Sequence, residues 1–131
     1  MSVRSIKNQK GQSLVEFAMI LPFLLLLIMG IVQFGMLLNS YLGLQNAARE
    51  GARTGIVGST NTEIQNSIIA TSPTLDVNNL TINITPSEAI RESGEALTVK
   101  VSYNFQLTIP IISNIFGNEI ILNAQTSMRI E

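Results

Sequence analysis

The chain has 131 residues, which is room for one small domain; 46% of them are hydrophobic and only 13% are charged. A soluble globular protein carries about 25% charged residues, so this sequence needs a membrane or a large partner surface to cover its apolar side chains. A net charge of −1 gives no support to a nucleic-acid partner. The chain has no cysteine and no histidine, so it lacks thiolates and the commonest general base and metal ligand. We therefore expect no enzyme, no cofactor, no metal site and no small-molecule substrate.

The first eleven residues form a basic leader. Arg4, Lys7 and Lys10 are three of the eight basic side chains of the chain, and no acidic residue lies among them. A basic block ahead of an apolar segment is typical of a topology signal that stays on the cytoplasmic side of a membrane.

The leader is followed by a stretch without charge from Phe17 to Ala48. Its first half is apolar apart from Pro22 and Gly30, and a membrane-spanning helix needs about 20 such residues. We predict a transmembrane helix over residues 12–38, with the N-terminus in the cytoplasm and the rest of the chain outside. An ordinary cleaved signal peptide is disfavoured, because the apolar stretch is too long and no small-x-small cleavage site follows it.

The helix is predicted to continue outside the membrane over residues 39–58. Apolar residues recur there at spacings of three and four, and Gly55 and Gly58 indicate the end of the helix. The pattern therefore predicts one helix from about Ser13 to Ile56.

Small residues at Ala47, Gly51 and Gly55 lie four positions apart on this part of the helix. Such a strip lets another backbone approach closely. Two partners are open at this point: a neighbouring helix of another subunit, or the protein's own sheet.

Residues 59–131 are predicted to form a small exported domain. Thr60 and Glu63 are spaced as a capping box, which predicts a short helix that Pro73 ends. Beyond it the apolar period changes to two, which predicts antiparallel strands at residues 80–85, 97–105 and 119–130. Pro110 breaks the pattern before the last strand and predicts a short apolar helical turn, open to membrane or partner contact. The fold class is α+β, with the long helix packed on a sheet of about three strands.

The most informative motif lies where the leader joins the apolar helix. Gly11 offers a backbone that enters a protease cleft without side-chain hindrance. Glu16 places an ionisable group in an apolar segment, which is costly unless the group is paired. If the chain is cut after Gly11, the new α-amine of Gln12 lies four residues from Glu16 and is a candidate counter-charge. The alternative is that Glu16 lies near the interface and is favoured by the positive end of the helix.

Gly11 with Glu16, ahead of an apolar run, resembles a type IV prepilin processing site. The string from Gly11 to Leu24, together with Leu44–Arg53, is similar to the TadE family of pseudopilins from the tight-adherence (Tad/Flp) pilus system. The resemblance is specific over about residues 11–55 and only architectural over the β-rich remainder.

The resemblance implies a pilin-like fold and a minor pilin of a bacterial Tad pilus. A prepilin peptidase would cut between Gly11 and Gln12, and Glu16 and Phe17 would serve processing or assembly. The implied partners are the membrane, the peptidase, other pilins or pseudopilins and the pilus assembly machinery. The mature protein would remain in the cytoplasmic (inner) membrane or enter a cell-surface pilus, and would be needed for pilus assembly and adherence.

Two other interpretations stay open. An uncleaved signal-anchor protein with a small extracytoplasmic binding domain has the same topology, and differs only in whether Gly11 and Glu16 matter. The carboxylates of Glu88, Glu92 and Glu95 could form a weak calcium site, but a solvated loop is the preferred explanation for them.

Overall fold

The computed structural model describes the backbone of residues 3–131 and the side chains of residues 9–131. The Arg4 and Lys7 side chains of the basic leader therefore lie outside the described residues. The structure divides into two compact units, an N-terminal unit that ends at Phe34 and a C-terminal unit from Gly35 to Glu131.

The helix α1 runs from Val3 to Ile56. It begins ten residues before the predicted start at Ser13, because the arginine, lysines and glutamines of the leader are good helix formers. Its end at Ile56 confirms the prediction. Gly58 there has a φ of +90° and donates its N–H to the Gly55 carbonyl oxygen at 3.3 Å, which closes the last turn.

From Gln9 to Met29 the N-terminal unit is an exposed, mainly apolar helix. Every side chain from Gln9 to Met29 is exposed. Helix α1 is long and apolar enough to cross a membrane, and none of its most apolar stretch is buried within the protein. This surface requires a covering that the described chain does not supply, because exposed apolar area of this extent is unfavourable in water.

The C-terminal unit adds two helices and three strands to the end of α1. They are, in chain order, α2 (Asn61–Thr71), β1 (Leu80–Thr85), β2 (Ala96–Gln106), α3 (Pro110–Phe116) and β3 (Glu119–Arg129). Each element lies within one or two residues of its prediction. The two short 3₁₀ turns at Val77–Asn79 and Glu88–Ile90 flank β1.

The start of α2 is fixed by local hydrogen bonds. The Glu63 N–H donates to the Thr60 hydroxyl at 3.3 Å, and the Thr60 N–H donates to the Glu63 carboxylate at 2.9 Å. This reciprocal pair is the predicted capping box, and it satisfies two N–H groups that have no partner inside the helix. The helix ends at Thr71, directly before Ser72 and Pro73.

The three strands form one antiparallel sheet in the order β1-β2-β3. In the central register Val101 pairs with Ile82 on one side and with Ala124 on the other. Side chains alternate between the two faces of the sheet, so one face is apolar and the other is polar. On the polar face, for example, the Ser102 hydroxyl donates to the Asn123 side-chain oxygen at 2.7 Å.

The core of the C-terminal unit lies between the apolar face of the sheet, the end of α1, and α2. Its buried members come from these three parts and, for Leu75, from the segment after α2; they are Leu44, Ala47, Ala48, Ala52, Ile64, Ile68, Leu75, Val99, Val101 and Ala124. The end of α1 thus covers the sheet as predicted. The α+β fold, with a long apolar helix packed on a three-stranded antiparallel sheet, is confirmed.

The start of β2 and the residues that follow β3 lie next to the end of α1 within the C-terminal unit. Near the start of β2, the Leu97 side chain lies directly over Gly55. At the same end, the Glu131 N–H donates to the Ile56 carbonyl oxygen at 3.1 Å. The segment that connects β2 to β3, which contains α3, therefore lies at the opposite end of the unit.

Candidate functional site

The predicted processing motif lies on one exposed turn of α1. The Gln12 side-chain amide donates to a Glu16 carboxylate oxygen at 3.3 Å, which shows that the two side chains share a helix face. The Ser13 hydroxyl donates to the Gln9 carbonyl oxygen at 3.0 Å and therefore does not donate to Glu16. The Glu16 carboxylate therefore has one neutral donor and retains acceptor capacity for a further partner.

No other part of the described chain packs around this motif. Glu16 is exposed, Phe17 is 58% exposed, and no residue of another element covers them. A carboxylate on a bare helix beside an aromatic ring is suited to recognition by another molecule, because both groups are fully presented. The motif is thus exposed on the described chain.

Gly11 is not explained by the packing of this chain. A Cβ added there would meet nothing within 4 Å, and the backbone of Gly11 is helical without a positive φ. A glycine at a helical position costs about 1 kcal/mol relative to alanine. The packing of the described chain therefore does not require a glycine at position 11.

The strip of small residues on α1 has its partner inside the C-terminal unit. A Cβ added to Gly51 would lie 2.6 Å from Ile68 Cγ1 on α2, and one added to Gly55 would overlap Leu97 on β2. Ala47 is fully buried in the same core. The strip therefore seats α2 as well as the sheet, and these faces are not free for a neighbouring subunit.

The acidic loop has a structural use. The Glu88 carboxylate accepts a hydrogen bond of 3.0 Å from the backbone N–H of Asn61, the first residue of α2. A Glu95 carboxylate oxygen lies 3.4 Å from the Glu92 N–H. Among the described residues, no group of three or more acidic side chains is placed to hold a metal ion. Glu88 thus stabilises the positive end of α2.

One polar residue in the apolar helix, Gln33, was not predicted to be a candidate functional residue. Gln33 is only 4% exposed, and within the described chain neither its side-chain nitrogen nor its oxygen has a hydrogen-bond partner. An unsatisfied buried amide costs about 1–3 kcal/mol. The signal that could have found it is the single amide between Phe17 and Leu38, since a lone polar group in such a run is seldom incidental.

Comparison with known proteins identifies the N-terminal part of the chain. Residues 11–53 match the family model described as TadE-like protein. No curated protein and no solved structure matches the chain. The TadE-like family is a family of pilus components and not a known enzyme family. The match begins at Gly11 and covers the apolar helix, which fits a single-pass membrane protein associated with a Tad pilus. The resemblance found in the sequence is confirmed over residues 11–53, where the chain matches the TadE-like family model.

Proposed function

We propose that this protein is a minor pilin, or pseudopilin, of a Tad-type pilus and is needed for pilus assembly and adherence. The observation that carries the proposal is the TadE-like match, which starts at Gly11 and continues along an apolar helix that the described chain leaves uncovered. A helix of this kind has two suitable environments, a lipid bilayer and a bundle of similar helices.

The first step of the proposed mechanism is membrane insertion followed by a cut between Gly11 and Gln12 by a prepilin peptidase. The bond lies within α1, so the helix must unwind locally before a protease can hold the chain in extended form. Gly11 lowers the cost of unwinding, since it is a poor helix former and its backbone carries no side chain to obstruct the protease.

The second step is lateral assembly through α1. The cut leaves a positive α-amine on Gln12, one helical turn from the Glu16 carboxylate. In a membrane, Glu16 needs such a counter-charge, either from its own chain or from a neighbouring subunit. Pairing between subunits would set the axial register of adjacent helices, with Phe17 and the exposed apolar side chains forming the contact.

The test of processing is the intact mass and N-terminal sequence of the protein recovered from its native membranes. The proposal expects a chain that starts at Gln12. Gly11→Leu should leave the leader attached, whereas Gly35→Leu, at another glycine where an added Cβ meets nothing within 4 Å, should be cut normally. A wild-type chain that keeps its leader while the peptidase is active would favour an uncleaved signal-anchor protein with a small binding domain.

The test of assembly is the amount of this protein and of pili sheared from the cell surface. Glu16→Ala should be processed or assembled poorly, while Ser13→Ala, on the same turn, should behave as the wild type. Normal pilus levels from Glu16→Ala would rule out the register role and leave Glu16 as an interfacial residue only.

A further inference from the structure

The short helix α3 presents an uncovered apolar surface. Ile111 is 55% exposed, Ile115 is 72% exposed and Phe116 is 69% exposed. No charged residue occurs between Leu107 and Asn118. The Ser113 hydroxyl donates to the Pro110 carbonyl oxygen at 2.9 Å, which satisfies this polar group within the helix itself. The surface is thus apolar and uncharged, and the Ser113 hydroxyl already has a hydrogen-bond acceptor within α3.

The position of α3 within the C-terminal unit follows from the direction of β2. Leu97 lies over Gly55, and β2 then extends eight residues further to Phe105, a distance of roughly 26 Å at about 3.3 Å per residue. The same distance along α1 is about 18 residues, at 1.5 Å per residue. With β2 antiparallel to α1 from the Leu97–Gly55 contact onward, Phe105 lies about level with Leu37. The half-burial of Leu37 shows that protein covers α1 as far back as this level.

The segment with α3 follows Phe105, so it lies at the end of the unit where Gly35 enters. Residues 35–38 there belong to the predicted transmembrane stretch. The exposed side of α1 at this level is also apolar, with Met36 46%, Leu38 46% and Leu42 54% exposed. Within the C-terminal unit, the apolar surface of α3 is thus at the same level as the exposed apolar residues Met36, Leu38 and Leu42 of α1.

We propose that α3 is an interfacial anchor, which inserts Ile111, Ile115 and Phe116 into the headgroup and upper acyl region of the outer face of the membrane. Short apolar helices of this kind bury one face to a depth of about 5–10 Å. Tyr41 of α1, at the same end of the unit, is suited to that depth because aromatic rings with a polar tip collect at membrane interfaces. A lipid surface is favoured over a protein partner because the α3 surface carries no charge and lies at the end of the unit that contains residues 35–38 of the predicted span.

The inference depends on the transmembrane helix and not on pilus assembly or processing, so it can be tested apart from them. The chain has no cysteine, which allows single labels without background. The full-length protein is reconstituted in phosphatidylcholine vesicles with an environment-sensitive fluorophore at Ile115→Cys. Val57→Cys, which is 66% exposed at the opposite end of the unit, is the matched control. Leu26→Cys reports on the membrane span.

The inference predicts that the label at position 115 is quenched by lipids with nitroxide-labelled acyl chains and is several-fold less quenched by aqueous iodide than the label at position 57. Equal iodide quenching at positions 115 and 57 would overturn the inference. Protection from iodide without lipid quenching would overturn it in favour of a protein partner, such as a second copy. A label at position 26 that escapes lipid quenching would refute the span, and the inference with it.

Discussion

The glycines of α1 fall into two groups that differ in what an added methyl group would meet. At Gly11, Gly30, Gly35 and Gly43 nothing lies within 4 Å of an added Cβ. At Gly51 and Gly55 the side chains of α2 and β2 occupy that space. The second group is required by the core of the C-terminal unit, whereas the first is not required by any contact within the described chain.

Gly51→Ala is therefore expected to destabilise the C-terminal unit. The new Cβ would lie 2.6 Å from Ile68 Cγ1 and 2.7 Å from Ile68 Cδ1, which forces Ile68 out of its place in the core. Overpacking of this kind costs about 1–3 kcal/mol of unfolding free energy. The measurement is chemical unfolding of the full chain in detergent, followed by circular dichroism.

Gly43→Ala is the control for this substitution, since it lies on the same helix with open space at the Cβ. It should raise the unfolding free energy by up to about 1 kcal/mol through helix propensity. Equal effects of Gly51→Ala and Gly43→Ala would contradict the close packing of α1 on α2.

The sequence could not separate these two groups of glycine. Ala47, Gly51 and Gly55 have the four-residue spacing that serves contacts between helices of different subunits and contacts within one chain equally well. The choice depends on Ile68 and Leu97, which are distant in sequence and whose positions follow from the packing of α2 and β2. Gly11 was easier to single out, because it stands at a change from basic to apolar sequence.

At the scale of elements, one arginine joins the β1–β2 loop to the start of α2. The half-buried Arg91 donates from Nε to the Pro86 carbonyl oxygen at 3.1 Å and from Nη1 to the Ser59 carbonyl oxygen at 3.3 Å. Its Nη2 donates to the Asn61 side-chain oxygen. Because the guanidinium is a rigid fork with five donors, one side chain can satisfy acceptors from three segments.

Arg91→Ala should lower the unfolding free energy by about 1.5–3 kcal/mol, since these bonds involve a charged donor and their carbonyl acceptors are part-buried. Arg49→Ala, at an exposed position of α1, should change the unfolding free energy by less than about 0.5 kcal/mol. Denaturant midpoints of the two variants at equal slope provide the comparison. A loss no greater for Arg91→Ala than for Arg49→Ala would show that the arginine does not hold the two elements together.

The elements themselves were predictable because their signals are local. The capping box of Thr60 and Glu63, the stop at Pro73 and the alternation along β2 lie within a few residues of what they determine. The start of α1 was predicted too late, since residues 1–11 were interpreted only as a basic leader and were assigned no helix. The contacts of Arg91 with Ser59 and Asn61 join residues about 30 positions apart, so they could not be predicted from a local sequence pattern.

At the scale of the whole molecule, the basic leader and the apolar helix predict that the C-terminal unit lies outside the cytoplasm. In intact cells, Thr81→Cys on the exposed side of β1 should react with a membrane-impermeant maleimide. Leu26→Cys, in the middle of the predicted span, should not react. Labelling of Thr81→Cys only after the membrane is permeabilised would mean that the orientation is reversed.

The composition of the core also has a consequence for the order of events during synthesis. Leu44, which is made early, shares its core with Val101 and with Ala124, which is made near the end of the described chain. The sheet cannot cover α1 until β3 has emerged and paired with β2. The apolar helix is therefore available to the insertion machinery well before the domain that follows it can fold. Folding of that domain comes last, and does not compete with entry of the helix into the bilayer.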